Sequence, residues 1–267
     1  MQPPKRLLFN AFSMNCVSHI HHGLWRRSDT RQLEYTSLDA WVELAQALEK
    51  AKFDSLFLAD VVGVYDAFRG GPETSIREAM QIPVNDPTLL IPTMAHATEH
   101  LGFAYTGSIL AEHPFNFARR ASTLDHLTNG RVAWNIVTSY LPSAARNLGF
   151  DDLPEHDARY DRGDDYLEVL YKLWESSWED DAVVRDLDRG IYADPAKVHT
   201  IDHIGSYYTV PGPHLCEPSP QRTPLLFQAG SSDRGREFAA RHAECVFILG
   251  AGRAEFIVDI RRRAATH

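Results

Sequence analysis

LGFAYTGSI at 101–109, PFNFARRASTLDHL at 114–127, NG at 129–130 and RVAWNIVTS at 131–139 are the consecutive pieces whose reading decides the fold. The first and last are short runs of aromatic, β-branched and small residues, of strand length. Between them apolar residues recur at helical period. Pro114 opens that helix where a missing N–H costs nothing, and Asn129-Gly130 supply the residues that tolerate a left-handed stop. Strand, helix and strand in this order form one crossover unit of a parallel sheet. Working outward, the alternation repeats. Strands are expected at Leu7–Met14 and Ser55–Val61, with a helix from Leu38 to Ala51 whose Trp41, Leu44, Ala45 and Leu48 share one face. A polar stretch, Gly63–Asn85, leads to a helix opened by Asp86-Pro87 and running to His100. Beyond strand four, a helix from Arg159 to Trp174 carries Tyr166, Val169, Leu170 and Leu173 on one side. Strands at Pro224–Ala229 and Cys245–Leu249 precede helices at Asp233–Ala243 and from Arg253 onward. Residues 178–223, with Gly190, Pro195, Pro211, Pro213, Pro218 and Pro220 and a β-like run Ser206–Val210, read as an excursion holding a hairpin. The expectation is an α/β fold of about six βα units in a single domain over 1–267.

The 267 residues are 44% hydrophobic and 24% charged, the balance of a globular protein, so disorder is excluded. A formal charge of −9 would repel a polyanion, which argues against nucleic acid as a partner. Cys16, Cys216 and Cys245 are odd in number and widely spaced, so neither a disulfide framework nor a zinc knuckle is indicated. No run approaches the roughly 18 apolar residues of a membrane span, and the apolar run in Met1–Asn15 is shorter than a signal-peptide core. The chain reads as cytoplasmic.

In parallel α/β sheets ligands meet the carboxyl ends of the strands, where loops converge and helix amino termini point free N–H groups outward. Standing there are Asn15, Cys16, Asp60, Thr106, Ser108, Asn135, Thr138, Ser139, Gly230, Ser231 and Ser232, almost all uncharged hydrogen-bonding groups. QAGSSDRG at 228–235 runs from a strand through a small-residue turn into a helix. Its glycine permits close approach, and its hydroxyls and first helical amides suit phosphate oxygens, with Arg234 or Arg236 able to add charge. The same serines equally suit helix capping. His156 and Tyr160 stand one helical turn apart after strand four. Two metal readings compete with this. His19, His21 and His22 form a histidine-rich loop, and His96, Glu99 and His100 match H-x-x-E-H, the spacing of one zinc-peptidase class. The latter motif closes a helix before strand three, at the opposite end of the strands from the residues above.

Taken together, LWR at 24–26, WVELA at 41–45, KFD at 52–54, LADVVGVYD at 58–66, PFNFAR at 114–119, STLDHL at 122–127, GRVAWNIVTS at 130–139, ARN at 145–147, HDARY at 156–160, YADP at 192–195, IDH at 201–203, PSPQ at 218–221 and QAGSS at 228–232 resemble one family. It is the nitrilotriacetate monooxygenase component A type, within the bacterial luciferase-like superfamily. One departure is Arg27-Ser28, where that family more often carries His-Pro. The resemblance implies a TIM-type (β/α)8 barrel, here truncated at its C-terminus because strands seven and eight have no sequence to form them. It implies a two-component enzyme that uses reduced FMN, delivered by an NAD(P)H:flavin reductase, and O2 to oxygenate a small organic substrate. FMN contacts are implied at Asp60, Thr106, His156, Tyr160 and Ser231, with Asn135, Thr138 and Ser232 as further candidates. The alternatives are a non-catalytic truncated remnant of this scaffold, a deazaflavin-using relative, and the zinc hydrolase through His96, Glu99 and His100. The unpaired edges of a six-stranded sheet imply either a homo-oligomer formed through that edge or poor solubility of the isolated chain.

Overall fold

The computed structural model describes residues 6–19, 22–250 and 252–267. In chain order the elements are β1 (Asn10–Met14), α1 (Leu38–Lys50), β2 (Ser55–Ala59), α2 (Glu73–Glu78), α3 (Ile91–His96), β3 (Gly102–Ser108), α4 (Pro114–Thr128), β4 (Val132–Val137), α5 (Pro142–Asn147) and α6 (His156–Tyr171). Then follow β5 (Val183–Asp186), β6 (Ile191–Ala193), β7 (His203–Ile204), β8 (Thr209–Val210), β9 (Leu225–Gln228), α7 (Asp233–His242), β10 (Cys245–Val246) and α8 (Arg253–Ala264). One six-stranded sheet has the order β1-β2-β3-β4-β9-β10, which are the six strands that the periodicity predicts. β1 pairs with β2 in parallel from Asn10↔Ser55 to Met14↔Ala59, β2 with β3 from Ser55↔Gly102, and β9 with β10 at Phe227↔Cys245. Phe103 N donates to Arg131 O and Ile109 N to Val137 O, the even advance of a parallel ladder. Among the described residues no helix is long and apolar enough to cross a membrane.

Two compact units divide the chain. The first takes residues up to Thr106 with Arg131–Ala133 and Tyr140–Asp151; the second takes Gly107–Gly130, Trp134–Ser139 and Asp152–His267. In the first, Trp41 and Ala45 of α1 are buried as their spacing requires, with Leu56 and Leu58 of β2 and Ile91 and Met94 of α3. The predicted helix from Asp86 to His100 is corrected. Asp86 caps only a 3-10 turn at Pro87–Leu89, and α3 ends at His96. Glu49 Oε1 explains the stop: it accepts the N–H groups of Glu99, His100 and Leu101 at 2.9, 2.6 and 3.0 Å, so those amides leave the helix.

The second unit is built around Trp134, which is fully buried and lies 4.4 Å from the Phe117 ring and 6.1 Å from Tyr166, centroid to centroid. Its indole donates to Gly107 O at 3.0 Å, and a Cβ on Gly107 would lie 2.9 Å from that nitrogen, so only glycine lets β3 approach the ring. α6 begins three residues before its expected start, because Glu155 accepts from the amides of Asp157 and Ala158, and it continues into a π-helical turn at Lys172–Ser176. The excursion holds two hairpins, β5–β6 and β7–β8. The run Ser206–Val210 is strand only at Thr209–Val210, since the amides of Tyr207 and Tyr208 turn away to Asp165.

His214, from the excursion, is 4% exposed, with Nε2 2.9 Å from Ser122 Oγ. Burial pushes its pKa down to about 4, and His126 adds to the fall. The unfolded chain takes up a proton near pH 6.5, which the folded chain refuses until about 4. Stability from this group is therefore unchanged above pH 7 and declines as pH falls through that window, by about 3 kcal/mol at most. Urea midpoints of the protein and of His214→Gln at pH 7.5 and 5.0 check this. The advantage of the native histidine is expected to shrink by about 2 kcal/mol at the lower pH, and a difference that does not change with pH would contradict it.

Candidate functional site

In the second unit β9 delivers the chain into Gly230, Ser231 and Ser232, and α7 starts at once. Ser232 is the N-cap: its Oγ accepts from Gly235 N at 3.0 Å, and its carbonyl accepts from Arg236 N at 2.8 Å. The capping reading of this serine is therefore correct. Gly230 N turns back to Gln228 Oε1 at 2.5 Å. Among the described residues the amides of Ser231, Ser232, Asp233 and Arg234 find no acceptor, as expected of the first turn of a helix. They carry the positive end of the α7 dipole.

Gly230 and Gly235 close this turn on Tyr160. A Cβ on Gly230 would lie 2.8 Å from Gly235 Cα and 2.9 Å from the Tyr160 hydroxyl, and one on Gly235 would lie 2.7 Å from the same hydroxyl. Tyr160 is 6% exposed, its ring held by Phe238 at 5.4 Å and by His156 at 5.2 Å. Among the described residues none accepts from its hydroxyl. Predicted residues His156, Tyr160 and Ser232 are thus brought together with Gly230 and Gly235. Ser231 is exposed on the turn. His156 is exposed, with Nδ1 2.6 Å from Asp157 Oδ1.

The expectation that Arg234 or Arg236 adds charge to the turn is corrected. Arg234 Nη2 pairs with Asp161 at 2.9 Å and Asp164 at 2.5 Å, and Arg236 Nη1 pairs with Asp259 at 2.9 Å. Both guanidiniums answer carboxylates of the chain itself, so the turn presents neutral donors. At the carboxyl end of β4 the Asn135 side chain is buried, while Thr138 and Ser139 are half-buried. Arg159 of α6 donates to the carbonyls of Thr138 and Ser139, and Ser139 Oγ stands 2.7 Å from Ser108 Oγ. These ties between distant positions leave no mark in the sequence.

The first unit holds Asp60 and Thr106. Asp60 Oδ1 accepts the amide of Val61 at 2.8 Å, and Thr106 is buried. Burial pushes the Cys16 thiol up to about 11, with the Asp60 charge contributing, so near neutral pH it is a protonated thiol and not a nucleophilic thiolate. Tyr65 and Tyr140 share a hydroxyl–hydroxyl hydrogen bond, and Ser143 Oγ joins the amide and carbonyl of Val64. Tyr140 escaped the sequence reading because a lone loop tyrosine carries no pattern. A cavity of about 690 Å³ in this unit is lined by Phe12, Met14, Tyr35, Trp41 and Leu44, along β1 and α1, and touches neither Asp60 nor Thr106.

The zinc reading fails on geometry. α3 ends at His96, so Glu99 and His100 lie beyond the helix and share no face with it. His21 lies outside the described residues, so the loop at 19–22 is not described as a cluster. Among the described residues Asp165, Glu168 and His203 bring three potential ligand atoms within 4.8 Å of one another. Lys172 Nζ occupies that spot instead, 3.1 Å from His203 Nδ1 and 2.9 Å from Glu168. The group is a charged clamp on β7.

A sheet of parallel strands followed by helices, with a glycine–serine turn opening a helix amino terminus, defines an α/β protein of the parallel-sheet kind. The family Luciferase-like monooxygenase matches residues 14–267, and the chain belongs to it. It is 62% identical to a long-chain alkane monooxygenase of Geobacillus thermodenitrificans over 97% of this chain and 60% of that protein. It is 36% identical to nitrilotriacetate monooxygenase component A of Aminobacter aminovorans, over 94% of this chain and 56% of the relative. A crystal structure of a riboflavin lyase with modified FMN and riboflavin superposes with a TM-score of 0.92 at 42% identity, covering 98% of this chain and 59% of that one. The chain thus spans a little over half the length of the relatives it matches.

Proposed function

We propose that this chain carries the flavin-binding face of a two-component monooxygenase, which takes reduced FMN from an NAD(P)H:flavin reductase and uses O2 to oxygenate a small organic substrate. The observation that carries the reading is the Gly230–Gly235 contact under the Tyr160 hydroxyl, beside four open amides. A Cβ would fill this cradle, and its neutral donors at a helix amino terminus suit a phosphate monoester. Ser231 and Ser232 with the α7 amides would hold the phosphate, Asp60 and Thr106 the ring or ribityl chain, and His156 and Tyr160 would position flavin and substrate, with Asn135 and Thr138 adding hydrogen bonds. When bound, reduced FMN supplies the electrons and the oxygen-activating ring. The protein's tasks are then binding, orientation and exclusion of water, which a lining of uncharged donors can perform without an activated nucleophile. The named activities of relatives range from alkane to nitrilotriacetate oxidation, so support reaches the reaction class and not the substrate.

In this reading residues 1–267 form part of one luciferase-like domain, acting in the cytoplasm as a homo-oligomer and binding neither nucleic acid nor membrane. Fluorescence titration of the folded chain with FMN is expected to show saturable binding, weaker for riboflavin, which lacks the phosphate. Folded protein that binds neither oxidised nor reduced FMN would overturn the reading.

A further inference from the structure

Arg234 follows the open turn by two residues, yet its charge is directed away from the turn. The guanidinium bridges Asp161 and Asp164 on successive turns of α6 and lies 5.6 Å from the centroid of the Tyr160 ring. Asp164 is fixed from a second side, because its Oδ1 pairs with His242 Nε2 at 2.8 Å, from the last turn of α7. One carboxylate therefore ties both ends of α7 to α6, and Arg234 covers the ring whose hydroxyl stands over Gly230 and Gly235. A planar guanidinium can meet two carboxylates and an aromatic ring at once, which an ammonium cannot.

We propose that Arg234 is a positioning residue that acts through Tyr160, holding the phenol so that its hydroxyl serves the cradle as a neutral donor to phosphate. The inference rests on the cradle being the phosphate site. It assigns Arg234 no charge contact with the ligand. Two consequences separate it from a direct contact. The cradle prefers FMN to riboflavin through hydrogen bonds and the α7 dipole and not through a guanidinium charge, so the preference does not fall steeply with salt. Arg234 and Tyr160 also form one functional unit, so their losses do not multiply.

The test titrates FMN and riboflavin into the full chain and into Arg234→Gln, Arg234→Lys, Tyr160→Phe and the double variant Arg234→Gln/Tyr160→Phe, with circular dichroism confirming the fold of each. Tyr160→Phe is expected to lower FMN affinity about 10-fold and to leave riboflavin nearly unchanged, as for loss of one hydrogen bond to a charged group. Arg234→Gln is expected to do the same, and the double variant to be no worse than either single change. Arg234→Lys keeps the charge and is expected to lose most of the FMN preference all the same; it also serves if the glutamine variant does not fold. Multiplying losses, equal weakening of FMN and riboflavin, or a preference that survives in Arg234→Lys and falls steeply with salt would each overturn the proposal. Failure of the parent reading is distinguishable, because then the unsubstituted chain itself shows no preference for FMN, and the proposal falls with it.

Discussion

Replacing Gly235 with alanine is expected to reduce FMN affinity by about 100-fold or more, since the change removes the phenol hydroxyl and several amides from a common focus. The added methyl would lie 2.7 Å from the Tyr160 hydroxyl, 3.0 Å from Gly230 Cα and 3.0 Å from Ser232 Oγ. Gly230 Cα is backbone and cannot rotate aside, and Ser232 Oγ is committed to capping α7. The turn must therefore open or Tyr160 must leave it. Overpacking of this kind costs about 1–3 kcal/mol of stability, small enough for the chain to stay folded while the cradle is lost. Titration with FMN and urea unfolding of the same preparation check the two effects together. Unchanged FMN affinity in a folded Gly235→Ala protein would show that the cradle is not the phosphate site.

Replacing Asp165 with alanine is expected to destabilise the chain by about 3 kcal/mol or more, because a buried imidazole N–H and two backbone amides lose the acceptor they share. Asp165 is 9% exposed and serves three donors: His203 Nε2 at 2.8 Å, Tyr207 N at 2.6 Å and Tyr208 N at 3.1 Å. His203 is 2% exposed and receives Lys172 on its other nitrogen, so without the carboxylate a buried donor and two amides are left unmatched. Asp165→Asn retains an acceptor and is expected to lose less. Urea unfolding measures both. A loss below 1 kcal/mol in the alanine variant would mean that β7 and β8 are held by packing alone.

The strands and long helices were legible because their signals are local. Trp41 and Ala45 share a face at helical spacing, and Asn129 takes the left-handed conformation at the end of α4 that its residue type favours. The zinc motif misled for a related reason. Local spacing placed His96 and His100 on one helix, but a carboxylate from α1, far off in sequence, drew the intervening amides away. β5 and β6 were not legible because both faces of that hairpin are largely exposed, so no alternation of polar and apolar residues marks them.

At the candidate site the division is similar. A glycine–serine turn before a helix announces a capped amino terminus with open amides, since backbone geometry and dipole follow from residue type and position alone. The sequence by itself therefore determined the parallel α/β order, the family and the place of the turn. Only the tertiary structure decided which side chains reach that turn. Tyr160 arrives there, while Arg234, which follows the turn directly in sequence, is turned to Asp161 and Asp164. The reason is physical: a charge follows its strongest counter-charge, and which carboxylate lies nearest is set by how α6 packs on α7, a contact between positions some seventy residues apart.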